Sequence, residues 1–223
     1  MSRQFPKIGA TGAGKVPPQQ LIQVVEAAAQ TGAKFVMEAV NKPRNVAYKG
    51  LTDLVEFVGG PMCWNTRMFS ATSGGGAFCN GRKIHVSQTD QVERSLLVTG
   101  FGYEHDEAWA TNIELFKQFT DVSRGVRRLG AAAVDMCHVA LGIVEAYWEY
   151  RLKPWDMAAG VLIVEEAGGA VSRMDGEGFC VFDRSVLVSN NLLERIAPAT
   201  ENLKNNGTDF SLWFKPDKYR TDL

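Results

Sequence analysis

The sequence predicts an α/β fold in which helices cover a layered sheet. From Arg94 onward, apolar strand-like runs alternate with helix-like segments, which is the pattern of α/β layers. Before that point, a helical period gives way to period-two alternation with glycine and asparagine turns, which indicates hairpins. With 223 residues, 45% of them hydrophobic, the chain is long enough to bury one sizeable core or two small ones.

The bulk composition favours a small ligand in a reducing compartment. A formal net charge of -1, from 24 basic and 25 acidic residues, provides no cationic field for nucleic acid or an anionic membrane. The four cysteines have no C-x-x-C spacing, so neither a zinc site nor a redox pair is predicted. No apolar run approaches the roughly 20 residues of a membrane helix, and no signal-peptide core is present. We therefore expect a soluble intracellular protein.

The N-terminal residues 1–18 are predicted to form a flexible arm. Gly9–Lys15 matches most of a phosphate-binding P-loop, but Val16 occupies the position of the Mg²⁺-binding Ser or Thr. Two prolines follow at once and no apolar strand precedes the glycines. The alternative of a nucleotide site therefore lacks its strand-loop-helix context, and the arm is the favoured interpretation.

Residues 19–93 are predicted to form a first, smaller α+β subdomain. Leu21, Val24 and Val25 begin an apolar pattern at helical spacing, which predicts an amphipathic helix packed on a core and ended before Pro43. Alternation from Met62 to Ser87 predicts a meander, with turns at Ser73–Gly76 and Asn80–Gly81. A glycine-rich phosphate loop is the alternative at Ser73–Gly76, but no helix follows these glycines.

Residues 94–197 are predicted to form the main sheet subdomain, followed by a surface tail over 198–223. Alternation through Ile143–Leu152 places Tyr147 and Glu149 on one face of a strand and Trp148 on the other. The other predicted elements are the strands Ser95–Phe101, Ala170–Met174 and Val186–Ser189 and the helices Glu107–Phe119, Val134–Leu141 and Met157–Ala167, the last ended by two glycines.

Two places in this subdomain could bind an anion or a metal. Arg127–Ala133 puts small residues ahead of a helix, which suits either an anion at the helix N-terminus or close packing. Asp156 lies at a helix start, where an aspartate is most often an N-cap and only occasionally a metal ligand. Glu149 suits either a solvated strand face or a ligand contact. Three histidines show no ligand spacing: His85, His105 and His138.

Three motifs resemble the inositol monophosphatase family. They are Gly76–Ser87, Arg128–Asp135 and, most specifically, Leu152–Gly169 with its W-D-x-A-A-G…E-A-G-G run. Asn41–Val55 and Phe210–Tyr219 are similar to the plant plastid branch of that family. The resemblance covers residues 19–223, with one break.

The resemblance implies a sugar-phosphatase-like layered α/β sandwich and Mg²⁺-dependent hydrolysis of inositol 1-phosphate or a similar small phosphomonoester. It implies that Asp156 is catalytic as a Mg²⁺ ligand and also approaches the inositol ring, which replaces the N-cap interpretation. Glu149 resembles the residue that hydrogen-bonds an inositol hydroxyl. Gly130, Ala131 and Ala132 match the segment lining the substrate near its phosphate end. Histidinol phosphate and galactose 1-phosphate are alternative substrates in related enzymes.

The resemblance also implies that a central metal-binding block is missing. In the family, D-L-V leads into T-x-x-D, G-E-E and D-P-(I/L)-D-G-T, whereas here Asp53-Leu54-Val55 is followed directly by Glu56–Gly60. The second sheet subdomain is then complete and the first is truncated. Asp156 retains only Glu149 and Asp53 as carboxylate neighbours in the sequence, so we expect impaired activity, because one carboxylate rarely holds Mg²⁺ tightly.

The alternative is a catalytically inactive form, either a truncated isoform or a fragment from an incomplete gene model. In both cases the expected partners are a small phosphorylated polyol and a second copy of the chain in a homodimer, without nucleic acid or membrane. The resemblance suggests the plastid stroma, or the cytoplasm if no transit peptide is present.

Overall fold

The fold is described from a computed structural model, which places residues 17–40, 46–48, 54–56, 67–102 and 104–190. The helices in these ranges are α1 (Pro18–Val40), α2 (Glu107–Val122), α3 (Ala132–Ala140) and α4 (Pro154–Glu166). The strands are β1 (Val46–Tyr48), β2 (Leu54–Glu56), β3 (Phe69–Thr72), β4 (Gly76–Cys79), β5 (Arg82–Lys83), β6 (Leu96–Thr99), β7 (Gly125–Arg127), β8 (Ala146–Tyr150), β9 (Ala170–Ser172) and β10 (Ser185–Ser189).

The main sheet has five strands in the order β7-β6-β8-β10-β9. The three strands β7, β6 and β8 run parallel, with Leu97 of β6 opposite Val126 on one side and Ala146 on the other. The remaining pairs are antiparallel. This mixed sheet confirms the predicted α/β class. Strand β7 was not predicted, because its three residues are too few to show alternation.

Helices cover both faces of this sheet. Leu115 and Phe119 of α2 pack with Leu97 and Trp148 on one face. The other face carries α3 and α4, where Met136 and Met157 pack with Tyr147. Trp148 and Tyr147 therefore point to opposite faces, which confirms the predicted alternation of β8.

The small sheet β3-β4-β5 packs against α4 and shares its core with α3, α4 and the main sheet. Glu166, the last residue of α4, accepts hydrogen bonds from the backbone N–H groups of Gly74 (2.6 Å) and Gly76 (2.8 Å) in the β3–β4 turn. These amides are engaged by a carboxylate, so the structure favours the predicted turn over a phosphate loop. The division of the chain at residues 93 and 94 stays a prediction.

A buried carboxylate fixes the amino ends of the two central strands. Glu145, just before β8, accepts hydrogen bonds from the Ser87 hydroxyl (2.9 Å) and from the backbone N–H of Leu96 in β6 (2.6 Å). The Asn190 side chain donates to the same Ser87 hydroxyl at 2.7 Å. Both oxygens of the Glu145 carboxylate accept a hydrogen bond, so this network holds the relative position of β6 and β8.

The expectation that the first helix packs on a core is wrong for its described apolar side chains. Leu21, Val24 and Val25 of α1 are 40%, 65% and 59% exposed, and Phe35 is 68% exposed. The physical reason is that the small sheet packs its apolar side chains with α3 and α4, while α1 contacts that sheet at β3 and keeps these four side chains exposed.

Several predicted segments lie outside the described residues: the arm over 1–16 with Gly9–Lys15, Met62–Thr66, Asp53 and everything after Asn190. The described cysteines, Cys79, Cys137 and Cys180, are free thiols. Among the helices of the described ranges, none has the length and apolar content needed to cross a membrane.

Gly160 tests the packing of α3 against α4. A Cβ at Gly160 would lie 2.5 Å from the Met136 sulfur and 2.9 Å from its Cβ. We expect Gly160→Ala to lower the free energy of unfolding by about 1–3 kcal/mol through overpacking, despite the better helix propensity of alanine. Urea unfolding followed by circular dichroism measures this.

The matched control is Gly32→Ala in α1, where an added Cβ meets nothing within 4 Å. It should be neutral or stabilising by up to about 1 kcal/mol. Equal unfolding midpoints for the two variants would contradict the described contact between α3 and α4.

Candidate functional site

The candidate site lies where the parallel strands end. The carboxyl ends of β7, β6 and β8 meet at one edge of the sheet. From β6 the chain enters α2 on one face, and from β8 it enters α4 on the other face. Neighbouring strands whose connections leave to opposite faces open a crevice between them, which is the usual ligand position in such sheets.

Glu149 lies at the β8 side of this crevice. Its carboxylate Oε2 accepts a hydrogen bond from the hydroxyl of Tyr147, two residues earlier on the same strand face. Burial raises the pKa of Glu149 to about 7; the Tyr147 hydroxyl and the Arg128 guanidinium pull it down, and the charge of Asp156 raises it. The site thus contains a half-buried carboxyl group that changes charge near neutrality, rather than a solvated surface glutamate.

Gly100 lies at the β6 side of the same crevice. A Cβ on this glycine would lie 2.0 Å from Oε2 and 2.5 Å from Oε1 of Glu149. The Gly100 carbonyl accepts a hydrogen bond from the Asn112 side chain, whose oxygen in turn accepts from the indole N–H of Trp148 at 2.6 Å. These bonds link β6, α2 and β8, so the backbone beneath the carboxylate is held in place.

Asp156 lies in the first turn of α4. Its Oδ2 accepts a hydrogen bond of 2.9 Å from the backbone N–H of Lys153. The N-cap residue is Lys153 and Asp156 is the third residue of the helix, so the N-cap interpretation is wrong about its position. The backbone hydrogen bond is instead the reciprocal half of a capping box. The electrostatic influence of Asp156 on Glu149 and Tyr147 places it beside them.

The loop that leads into α3 has free space beside Gly130 and a packed residue at Ala132. Gly130 has φ +87°, and the nearest atom to an added Cβ is a guanidinium nitrogen of Arg128 at 3.4 Å. This glycine is therefore required by its backbone angle and not by close packing. Ala131 is the N-cap of α3 and makes no side-chain capping bond, whereas Ala132 packs against the core. Close packing is therefore confirmed at Ala132, and an anion site at the start of α3 stays a prediction.

Asp135 is a functional candidate that the sequence analysis missed. It lies in the first turn of α3, it is 0% exposed, and neither side-chain oxygen makes a hydrogen bond within the described residues. Burial raises its pKa to about 7 and the Glu149 charge adds to this, while the nearby Ala131 amide and the Arg128 guanidinium act in the opposite direction. An acid among the apolar residues Val134 and Met136 is the signal that could have identified it.

Arg151 connects the two loops that border the crevice. It follows β8 with φ 66°, a strained angle for a residue that is not glycine. Its guanidinium bonds to Glu104 (2.5 Å) and Asp106 in the segment after β6. These ion pairs, together with a backbone bond from Arg151 to Arg184 of 2.6 Å, hold the unusual backbone angle.

No described hydrogen bond links the three histidines to these carboxylates. His85 is exposed, His105 stacks against Trp109 with ring centroids 4.6 Å apart, and burial lowers the pKa of His138. Within the described ranges, no group of three or more His, Cys, Asp or Glu residues is arranged to hold a metal ion. The described residues therefore do not fit a complete metal site, and the role of Asp156 as a metal ligand stays a prediction.

The sequence model of the inositol monophosphatase family matches residues 57–205. Among curated proteins, the chain is 58% identical to a phosphatase of Arabidopsis thaliana named "Phosphatase IMPL1, chloroplastic", over 99% of this chain and 81% of the relative. Other curated relatives match along 41% to 52% of their own length.

Solved structures of the family are also similar. An inositol monophosphatase from Anabaena matches with a TM-score of 0.59 and 35% identity, over 73% of this chain and 58% of that structure. The structure entitled "inositol monophosphate bound SaIMPase-II" matches with a TM-score of 0.56 and 27% identity, over 65% and 56%. The chain thus spans little more than half of each of these structures.

The alignment with the Arabidopsis relative contains positions that this chain lacks. It runs over 302 positions, whereas this chain has 223 residues, so at least 79 positions face no residue here. The alignment covers both ends of this chain, because 99% of it is included. The missing positions are therefore opposite a gap inside the aligned region.

Asp135→Asn tests the buried carboxyl group through the pH dependence of stability. The pKa of Asp135 is raised in the folded state from its ordinary value of 3.8 to about 7. Between these values the unfolded chain has lost the proton that the folded chain retains, so the free energy of unfolding falls as pH rises. We expect Asp135→Asn to make this fall smaller by a few kcal/mol at most and to leave the part that comes from Glu149, whose pKa is also raised to about 7.

Unfolding midpoints in urea, measured from about pH 4 to pH 8, check this prediction. The control is Asp121→Asn, at an exposed position of α2, which should leave the pH profile of the wild type unchanged. A parallel pH dependence in wild type and Asp135→Asn would show that Asp135 is not responsible.

Proposed function

This chain belongs to the inositol monophosphatase family, and on that premise we propose that it is a Mg²⁺-dependent phosphomonoesterase for inositol 1-phosphate or a similar small sugar phosphate, with impaired activity. The observation that carries the proposal is the convergence of Glu149, Asp156 and the start of α3 at the carboxyl edge of the parallel strands. The similar structure whose title names bound inositol monophosphate supports a small phosphorylated substrate.

In this proposal, Glu149 accepts a hydrogen bond from a ring hydroxyl of the substrate. The ionised carboxylate has acceptors and no donor, and a pKa of about 7 makes that form available from neutral pH upward. A hydrogen bond to a charged acceptor is stronger than one between neutral groups, so this contact would orient the polyol ring.

The phosphate end of the substrate is assigned to the start of α3. The N-terminus of a helix presents unpaired backbone N–H groups and the positive end of the helix dipole, which favour an anion. Gly130 and Ala131 carry no side chain that would block the approach, and Arg128 adds a positive charge beside them. The proposed substrate therefore lies between this helix and Glu149.

Asp156 is the proposed Mg²⁺ ligand. One of its oxygens already accepts the Lys153 amide, and the described residues provide no further carboxylates in a metal-binding arrangement. Since Mg²⁺ gives up its water ligands reluctantly, a single carboxylate binds it weakly. We therefore propose that hydrolysis by this chain is slow compared with that by a complete family member.

The second candidate is a catalytically inactive form that retains the substrate crevice. Two observations support it: at least 79 aligned positions of the Arabidopsis relative face no residue here, and the family match begins at residue 57, next to the break expected after Val55. A plastid location is proposed from the name of that relative.

Phosphate release distinguishes the two candidates. We expect the wild-type chain to release phosphate from inositol 1-phosphate only with Mg²⁺, at a rate lower than that of the Arabidopsis relative by about 100-fold or more. Asp156→Ala should abolish the remaining activity, because it removes the proposed ligand. A colorimetric phosphate assay over a Mg²⁺ titration measures both.

The matched control is Asp121→Ala, which removes an exposed carboxylate from α2 and should retain wild-type activity. A rate equal to that of the complete relative would contradict the proposed impairment. No release at any Mg²⁺ concentration would favour the inactive form.

A further inference from the structure

Glu149 is contacted by two residues that have no role in the proposed chemistry. A glutamate side chain has three rotatable bonds, so a carboxylate at a crevice is ordered only if other groups restrict it. The Tyr147 hydroxyl donates a hydrogen bond to one oxygen of this carboxylate. Gly100, which follows the neighbouring strand β6, lies beside both oxygens.

Tyr147 is placed to hold the carboxylate rather than to contact a ligand. It is 0% exposed, and its ring packs in the core among residues of α3 and α4. Its hydroxyl engages Oε2, and no described residue donates a hydrogen bond to Oε1. The second oxygen therefore remains an acceptor within the described part of the crevice.

Gly100 is required for space and not for its backbone angle. Its φ lies outside the positive range, so alanine can adopt the same backbone conformation. An alanine Cβ would nevertheless lie 2.0–2.5 Å from the two carboxylate oxygens, which is closer than such atoms can approach. The Gly100 carbonyl is bonded to Asn112, which prevents the backbone from moving away.

The charges around Glu149 make this restraint necessary. Asp135 from α3 and Asp156 from α4 repel the carboxylate, and Arg128, from the loop before α3, attracts it. Attraction and repulsion of this kind would displace a side chain that is free to change rotamer. A hydrogen bond from a rigid, buried tyrosine opposes such a movement.

We infer that Tyr147 and Gly100 are positioning residues, which together fix the Glu149 carboxylate so that Oε1 meets a hydroxyl group of a polyol ligand. The inference rests on the proposed function for the identity of the ligand, and on geometry alone for the fixed carboxylate. These two parts are tested by separate measurements.

The first measurement is the ¹³C resonance of the Glu149 side-chain carboxyl in protein labelled at glutamate. It is recorded as a function of pH and read on the plateau above the pKa of Glu149 in each variant, so that the carboxylate is ionised in all of them. Its assignment follows from its absence in Glu149→Gln. We expect Tyr147→Phe and Gly100→Ala each to shift this resonance.

Matched controls are available at both positions. Tyr150→Phe removes a hydroxyl from the opposite face of the same strand. Gly102→Ala adds a Cβ where nothing lies within 4 Å. Both controls should leave the Glu149 resonance at its wild-type position. Tyr147→Phe retains the packed ring, so it tests the hydroxyl without emptying the core.

The second measurement is calorimetric titration with inositol 1-phosphate. Tyr147→Phe and Gly100→Ala should each weaken binding by about tenfold, the effect expected for loss of one hydrogen bond to a charged group, and the controls should not.

An unchanged Glu149 resonance in both test variants overturns the inference, whatever the ligand data show. A shifted resonance with unchanged affinity overturns it as well, because the fixed position would then not serve the ligand. If the wild type does not bind inositol 1-phosphate and the resonance still shifts, the proposed substrate is wrong and the positioning of the carboxylate is supported.

Discussion

The parallel pairing of β6 with β8 is the contact on which the site depends. It brings Gly100 and Glu149, 49 residues apart in the sequence, against each other at one edge of the sheet. The pairing is fixed at the amino ends by the buried Glu145 and near the carboxyl ends by the bond between the Thr99 hydroxyl and the Trp148 carbonyl, at 2.8 Å. With both ends held, a shift of register would break a buried hydrogen bond, which costs more than an exposed one.

The same pairing concentrates negative charge. Glu149 interacts electrostatically with both Asp135 and Asp156, and Arg128 is the positive charge near Glu149 and Asp135. Burial raises the pKa of Asp135 and of Glu149 to about 7. A buried negative charge is costly in the free protein. A ligand that donates hydrogen bonds or carries positive charge offsets this cost. A crevice of this kind favours hydroxyl donors on one side, while the start of α3 favours an anion on the other. Under the proposed function, this combination would hold the hydroxyl groups and the phosphate of a small phosphorylated polyol.

Local patterns in the sequence predicted most elements of the main sheet, and tertiary contacts account for what they missed. The face alternation of β8 and the start of α4 follow from residue order alone, because period and proline position are local. The buried state of Asp135 and the need for glycine at residue 100 depend on side chains that only the fold brings near. For Asp156, the pattern predicted a backbone hydrogen bond correctly but placed the residue at the N-cap instead of the third helical position. The exposed face of α1 was predicted wrongly, since amphipathic spacing does not show whether a partner layer is present.

Under the proposed function, substrate binding and metal binding depend on different parts of the chain. Glu149 and Gly130–Ala132 are placed by the five-stranded sheet and its helices, which are held by their own cores and by the Glu166 bonds to the β3–β4 turn. The metal carboxylates that the family resemblance implies lie in the block expected between Val55 and Glu56, which would belong to the other sheet. The exposed apolar face of α1 lies in that first part of the chain. Loss of such a block therefore removes metal ligands without disturbing the contacts that place Glu149. Under the proposed function, substrate binding and hydrolysis are then separable properties of this chain, and affinity can persist where turnover does not.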